Sequence, residues 1–282
     1  MFEFMRDIFK DRSTGTFSFE PFSLCHIIYL VTIIGVIIAL LFAFKKKSQN
    51  FKLKVVEITL DAALVLYILD FFLMPLSQAE ISIIKLPFHL CTLMSIMCFL
   101  SRHTKLFSKC KSTFPILGLI GALMYLCYPA GVRNGAGEYF DGYTYRIIQT
   151  VLYHGLMVAQ GVFAIAFGDI ELKWKDFKID VVTVLCMVVW AMLGNLIYTG
   201  TITITCTCVE GCTEIIKIYE NEPNWFFVQH DALYIIPDDI DGVIAPFMMI
   251  IAITGMCALI RFLGLQLLKV FKKEEATNVK SE

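Results

Sequence analysis

An imidazole and a thiol stand two residues apart in Leu86-Pro87-Phe88-His89-Leu90-Cys91, within sequence apolar enough to cross a bilayer. A cysteine attacks as its thiolate, and an imidazole within hydrogen-bond reach is the group that generates one. A titratable side chain at membrane depth is costly and usually faces a protein interior or a wet cavity, which marks this stretch as a site. Other polar residues in comparably apolar sequence are His26, Asp70, Arg146, His154, Asn195 and Tyr198. Arg146, Thr150 and His154 are spaced four apart, so on a helix they share one face, which should point inward. On a regular helix His89 and Cys91 face different ways, so only one points into a common cavity unless the turn is distorted.

These residues define the candidate chemistry. Cys91, His154 and His89 form the candidate site, and for a reaction passing through a tetrahedral intermediate Asn195, Tyr198 and Arg146 are the candidate donors to its oxyanion. His26 and Asp70 stand in support. Asn195, with Tyr198 and Thr199 beside it, reads more readily as interhelical hydrogen bonding than as a ligand, and His26 taken alone reads equally as either. Zinc held by His26, His89 and His154 with Asp70 is the weakest reading, because no His-Glu-x-x-His spacing supports it. No metal or cofactor is expected.

The elements that position this chemistry are membrane spans. The chain has 282 residues, 57% hydrophobic and 17% charged, the balance of a polytopic membrane protein. A net charge of -1 excludes a nucleic-acid binder, which needs a basic surface. Seven apolar runs predict an all-α bundle of seven transmembrane helices at 24–44, 55–76, 81–100, 114–130, 145–167, 181–204 and 243–268. Lysine and arginine collect after the first, third, fifth and seventh runs, at Lys45–Lys47, Arg102–Lys111, Lys173–Lys178 and Lys269–Lys273. That asymmetry predicts an outer N-terminus and a cytoplasmic C-terminus.

The expected organisation is an extracytoplasmic segment at 1–23, a membrane domain at 24–268 with an outer loop at 205–241, and a cytoplasmic tail at 269–282. The first 20 residues carry mixed charges and no apolar core, so no removable signal peptide is expected. On this topology His26, Asp70, His89, Cys91, His154 and Asn195 all fall in the outer half of the bilayer, on five helices. One outward-opening cavity accounts for that. Asp61, nearer the cytoplasmic end, is expected to pair with lysines such as Lys54. Cys206, Cys208 and Cys212 lie in the outer loop, where one disulfide is plausible and zinc spacing is lacking.

Several short motifs resemble a known family. Phe22-Ser23-Leu24-Cys25-His26, Leu86-Pro87-Phe88-His89-Leu90-Cys91, Tyr153-His154-Gly155, Asn195-Leu196-Ile197-Tyr198 and Asn224-Trp225 resemble the YwaF family of bacterial integral membrane proteins, related to vertebrate transmembrane protein 164. The His-Leu-Cys element is the most specific of them. The resemblance implies a seven-helix protein of the cell membrane, whose vertebrate relative is a phospholipid acyltransferase using a cysteine and a histidine. Carried over by motif, Cys91 is the acyl-accepting nucleophile and His154 or His89 its base. The expected activity is a cysteine-dependent lipid acyltransferase or hydrolase with membrane lipid as its partner. The alternative is a small-solute transporter or binding protein with histidine-mediated proton coupling, disfavoured by the lack of an internal repeat.

Overall fold

The computed structural model describes residues 12–78, 86–105, 107–129, 138–200, 202–209, 213–220, 224–227 and 237–278. Among them are seven α-helices: α1 (Leu24–Phe44), α2 (Gln49–Gln78), α3 (Leu90–His103), α4 (Thr113–Cys127), α5 (Tyr145–Ala166), α6 (Phe177–Tyr198) and α7 (Asp238–Asn278). The predominantly helical character expected is present. Four helices are long and apolar enough to cross a membrane (α1, α5, α6 with its leading turn, and α7), while α3 and α4 are shorter apolar helices.

The core is built around α4, whose residues 113–122 are buried without a break. It packs against α3, α5 and α7; α5 also packs on α2, and α6 pairs with α7. The approach of α4 to α5 depends on glycine. A Cβ on Gly161 would stand 2.7 Å from Leu119 Cβ and 2.9 Å from the Pro115 carbonyl oxygen. Small residues allow this backbone proximity between membrane helices. α1 is peripheral, and its Leu24, Val31 and Phe42 present exposed apolar side chains.

Helix ends gather in two groups. At one end, residues 12–23 strap across the loop before α5: Asp141 N–H donates to the Arg12 carbonyl (2.8 Å), Gly142 N–H to Phe17 (2.8 Å) and Phe19 N–H to Phe140 (2.9 Å). Burial opposes ionisation of Asp141, but the Thr14 N–H and hydroxyl and the Tyr143 hydroxyl all donate to its carboxylate and outweigh that, holding the carboxyl below its ordinary value. At the other end, Arg102 at the close of α3 makes a bidentate pair with Asp169 beyond α5 (2.9 and 2.6 Å). Asp169 follows Gly168, whose φ of +70° lets α5 end in a left-handed cap.

Three expected boundaries are corrected. The third run was expected to be helical from 81, yet α3 begins only at Leu90. Leu86 to His89 are irregular, and 81–85 lie outside the described residues. Pro87 lacks an N–H and biases the residue before it away from the helical region. The sixth run was expected to reach 204, but α6 ends at Tyr198 and Gly200 turns the chain at φ +75°. Strands Ile202–Val209 and Thr213–Glu220 then form an antiparallel hairpin, so the chain is not wholly helical. Strict alternation in Ile-Thr-Ile-Thr is a strand period rather than the tail of a span. Across the hairpin Cys206 faces Ile216 and Cys208 faces Glu214 in register, while Cys212 lies outside the described residues. α7 continues through Asn278, into the residues expected as a tail.

Asp61 also departs from expectation. Lys54 pairs with Glu57 at 3.1 Å, and Asp61 Oδ1 lies 3.9 Å from His103 Nε2.

Candidate functional site

The Leu86-Pro87-Phe88-His89 segment reaches α3 as irregular backbone, and irregular backbone at membrane depth must find its hydrogen bonds within the protein. Trp190 Nε1 donates to the Pro87 carbonyl at 2.9 Å, and Phe88 N–H donates to the Leu86 carbonyl at 2.8 Å. The Phe88 ring fills a slot left by Gly194, where a Cβ would stand 2.4 Å from Phe88 Cδ1. His89 takes the N-cap position of α3 in an extended conformation, without a side-chain cap bond. Cys91 is the second helical residue. His89 therefore precedes the helix in extended backbone, and the regular-helix spacing to Cys91 does not apply to it.

Cys91, on α3, packs against α4. A Cβ on Gly121 would come within 3.1 Å of Cys91 Sγ. One turn further along α4 is Tyr125, on whose ring the imidazole of His154 lies flat, centroids 4.0 Å apart and planes 7° apart. His154 Nδ1 is 2.8 Å from the Thr150 carbonyl oxygen, which can only accept, so Nδ1 carries the proton and Nε2 is the basic nitrogen of the neutral ring. The Tyr153 hydroxyl donates to the Cys91 carbonyl at 3.1 Å and ties α5 to the start of α3. Thiol and imidazole thus border the same face of α4, a turn apart.

Asp70 and Arg146 are engaged by other aromatic residues. The Tyr145 hydroxyl donates to Asp70 Oδ1 at 3.3 Å, and the Tyr67 ring, three residues before Asp70, lies 6.2 Å from that of Tyr153. Arg146 extends over the Phe140 ring at 4.6 Å, toward the loop before α5. Thr150 and His154 are buried and Arg146 is half-buried, so the shared polar face points inward as expected.

His26, Asn195 and Tyr198 have other engagements. His26 is fully buried; its Nδ1 accepts from Phe22 N–H (2.8 Å) and its Nε2 donates to the Leu126 carbonyl (2.7 Å). A neutral ring so used has no lone pair left for a metal, and it staples the start of α1 to the end of α4. Asn195 Oδ1 accepts from Trp225 N–H at 3.0 Å and its Nδ2 donates to the Trp225 carbonyl at 3.4 Å, a peptide-like clamp on a turn near α6. Tyr198 meets the rings of Phe88 and Trp225 edge-on. Among the described residues, the group with three ligand atoms within 4.8 Å of one another is Glu57, Asp61 and His103, away from the three imidazoles considered above.

Two features escaped the reading of residues alone. Arg261 of α7 and Asp180 of α6 are both fully buried. Arg261 pairs with Asp180 through Nε and, at 2.7 Å, through Nη2; Thr113 at the start of α4 donates to the same carboxylate at 2.7 Å. An arginine inside the seventh apolar run and an aspartate immediately before the sixth were the available signal. The second feature is Trp225, a loop residue only 1% exposed.

A family model described as the TMEM164 family matches residues 21–265. Comparison with curated proteins and with solved structures gives no match. The matched segment contains α1 to α6 and most of α7, including Cys91 and His154, and on that extent this membrane protein belongs to the TMEM164 family.

Proposed function

We propose that the protein is a cysteine-dependent acyltransferase of membrane lipid, with Cys91 as nucleophile and His154 as its base. The observation that carries this reading is the shared face of α4, where Gly121 receives the Cys91 thiol and Tyr125 holds the His154 ring a turn away. With Nδ1 tied to the Thr150 carbonyl, Nε2 is the nitrogen that takes the thiol proton. The thiolate adds to the carbonyl carbon of a phospholipid ester, the C–S bond forms, and the ester C–O bond breaks. The departing lysophospholipid oxygen takes the proton back from the imidazolium. In the second half, a lipid hydroxyl gives its proton to His154 and attacks the thioester; its C–O bond forms, the C–S bond breaks, and the thiol is restored.

The basic residues after the odd-numbered runs support a site in the outer half of the cell membrane, with the N-terminus outside. Apolar side chains exposed around the bundle allow a lipid to approach sideways.

The test is transfer of a labelled acyl chain from phospholipid to lysophospholipid in vesicles containing the purified protein. Cys91→Ala should abolish transfer, and His154→Gln should lower it by roughly 10²–10⁴-fold, the usual weight of a general base. Transfer by Cys91→Ala at the wild-type rate would overturn the assignment.

A further inference from the structure

Trp225 packs like a core residue but is held like a removable part. Its indole lies against Phe88 (ring centroids 4.7 Å apart) and Tyr198 (5.4 Å), and Phe88 is three residues before Cys91. The indole Nε1–H is buried with no hydrogen-bond partner among the described residues. A buried donor normally finds an acceptor, so this position is unfavourable for a permanent core tryptophan. Phe226 and Phe227 follow at φ +58° and +51°, two successive side-chain-bearing residues in the left-handed region. That backbone is strained, and strain of this kind persists only where the surroundings impose it. Among the described residues, the turn is held by the Asn195 amide, which grips both the N–H and the carbonyl of Trp225, and by the burial of the Phe226 ring.

The turn is docked at the lipid-facing edge of the bundle. Leu196 and Ile197, next to Asn195, are 77% and 62% exposed, and Trp190 on the preceding turns of α6 is 43% exposed. Among the described residues, the rings of Trp190, Tyr198 and Trp225 surround Phe88 at this edge. None of these four rings carries a formal charge, and such an apolar lining suits a hydrocarbon and not a polar solute.

We propose that Trp225 is a displaceable plug, and that the space its indole fills between Phe88 and Tyr198 receives one acyl chain of a bilayer phospholipid when the 225–227 turn comes off Asn195. The identity of the ligand as a lipid chain rests on the acyl-transfer reading; the displacement does not. On leaving, the indole gains partners for its N–H, the two phenylalanines relax, and the chain is led to the residues preceding Cys91.

The test uses the full-length protein in phosphatidylcholine vesicles doped with a phosphatidylcholine carrying a photoactivatable diazirine midway along one acyl chain, with the cross-linked residues mapped by mass spectrometry. Peptides of α1, exposed to lipid in any state, give the reference. Wild-type protein should be labelled at Phe88, Tyr198 or Trp225. Asn195→Ala, which frees the turn and keeps the indole, should raise that labelling at least threefold relative to α1, and Trp225→Leu should do the same if Asn195→Ala does not fold. Labelling confined to α1 and other outward faces, unchanged in both variants, would overturn the plug. The same experiment in Cys91→Ala separates the two proposals. Labelling that persists while transfer is lost supports both, whereas transfer that continues in Cys91→Ala overturns the nucleophile and leaves the plug standing.

Discussion

The imidazole of His154 stacks on the phenol of Tyr125 at 4.0 Å, with the planes only 7° apart. The stack and the Nδ1 contact to the Thr150 carbonyl together fix how the ring is turned, which decides where its basic nitrogen points. An aromatic pair of this kind is worth roughly 0.5–1.5 kcal/mol beyond its burial. Tyr125→Leu should therefore lower the rate of acyl transfer by about tenfold with little change in KM, whereas Tyr125→Phe, which keeps the ring, should retain most of it. Equal losses in the two variants would show that the hydroxyl, not the stack, matters.

The Asp180–Arg261 pair makes a prediction about stability. Both side chains are buried, and Thr113 and Ser112 from the start of α4 share the network. Removing one partner strands the other charge, at a cost of about 3–5 kcal/mol, while replacing both with apolar residues restores much of it. Asp180→Asn should lower the unfolding temperature in detergent strongly, and Asp180→Leu combined with Arg261→Met should recover most of the loss. A double variant no better than the single one would mean that the pair is needed for geometry and not for charge balance.

Asp141 gives a prediction in pH. Its carboxyl is held below the ordinary value in the folded protein, with Thr14 and Tyr143 as donors. A depressed carboxyl contributes stability that is complete above its unfolded pKa of about 3.9 and disappears as pH falls through the folded value. Asp141→Asn should unfold at a temperature roughly 2–4 °C lower than wild type at pH 7. The gap should narrow once the pH drops below about 4. A gap that stays constant down to pH 3 would remove the charge from the account of how the N-terminal strap is held.

The helices were legible from apolar runs, and α1 was placed residue for residue at Leu24–Phe44. Composition could not show where an apolar run stops being helical. Pro87 was the local sign that α3 starts late, and the alternation after Gly200 was the sign of a hairpin; both were outweighed by hydropathy, which counts residues without regard to backbone. Spacing placed Thr150 and His154 on one inward face. It carried no information about Tyr125, because the meeting of α4 with α5 depends on glycines such as Gly161 that admit a neighbouring backbone. The Arg261–Asp180 contact joins residues 81 positions apart, beyond the reach of any periodic pattern. Asn195 and His26 were legible as buried polar groups, but their partners are backbone groups of other elements, which side-chain types do not reveal.

The central claim is that the Cys91 sulfur carries the acyl group between donor and acceptor. The most direct measurement is the mass of the Cys91 peptide after incubation with labelled phospholipid and no acceptor. The account predicts an acyl adduct on Cys91 that neutral hydroxylamine removes, diminished in His154→Gln and absent in Cys91→Ala. An unmodified Cys91 in protein that still transfers acyl chains would contradict it.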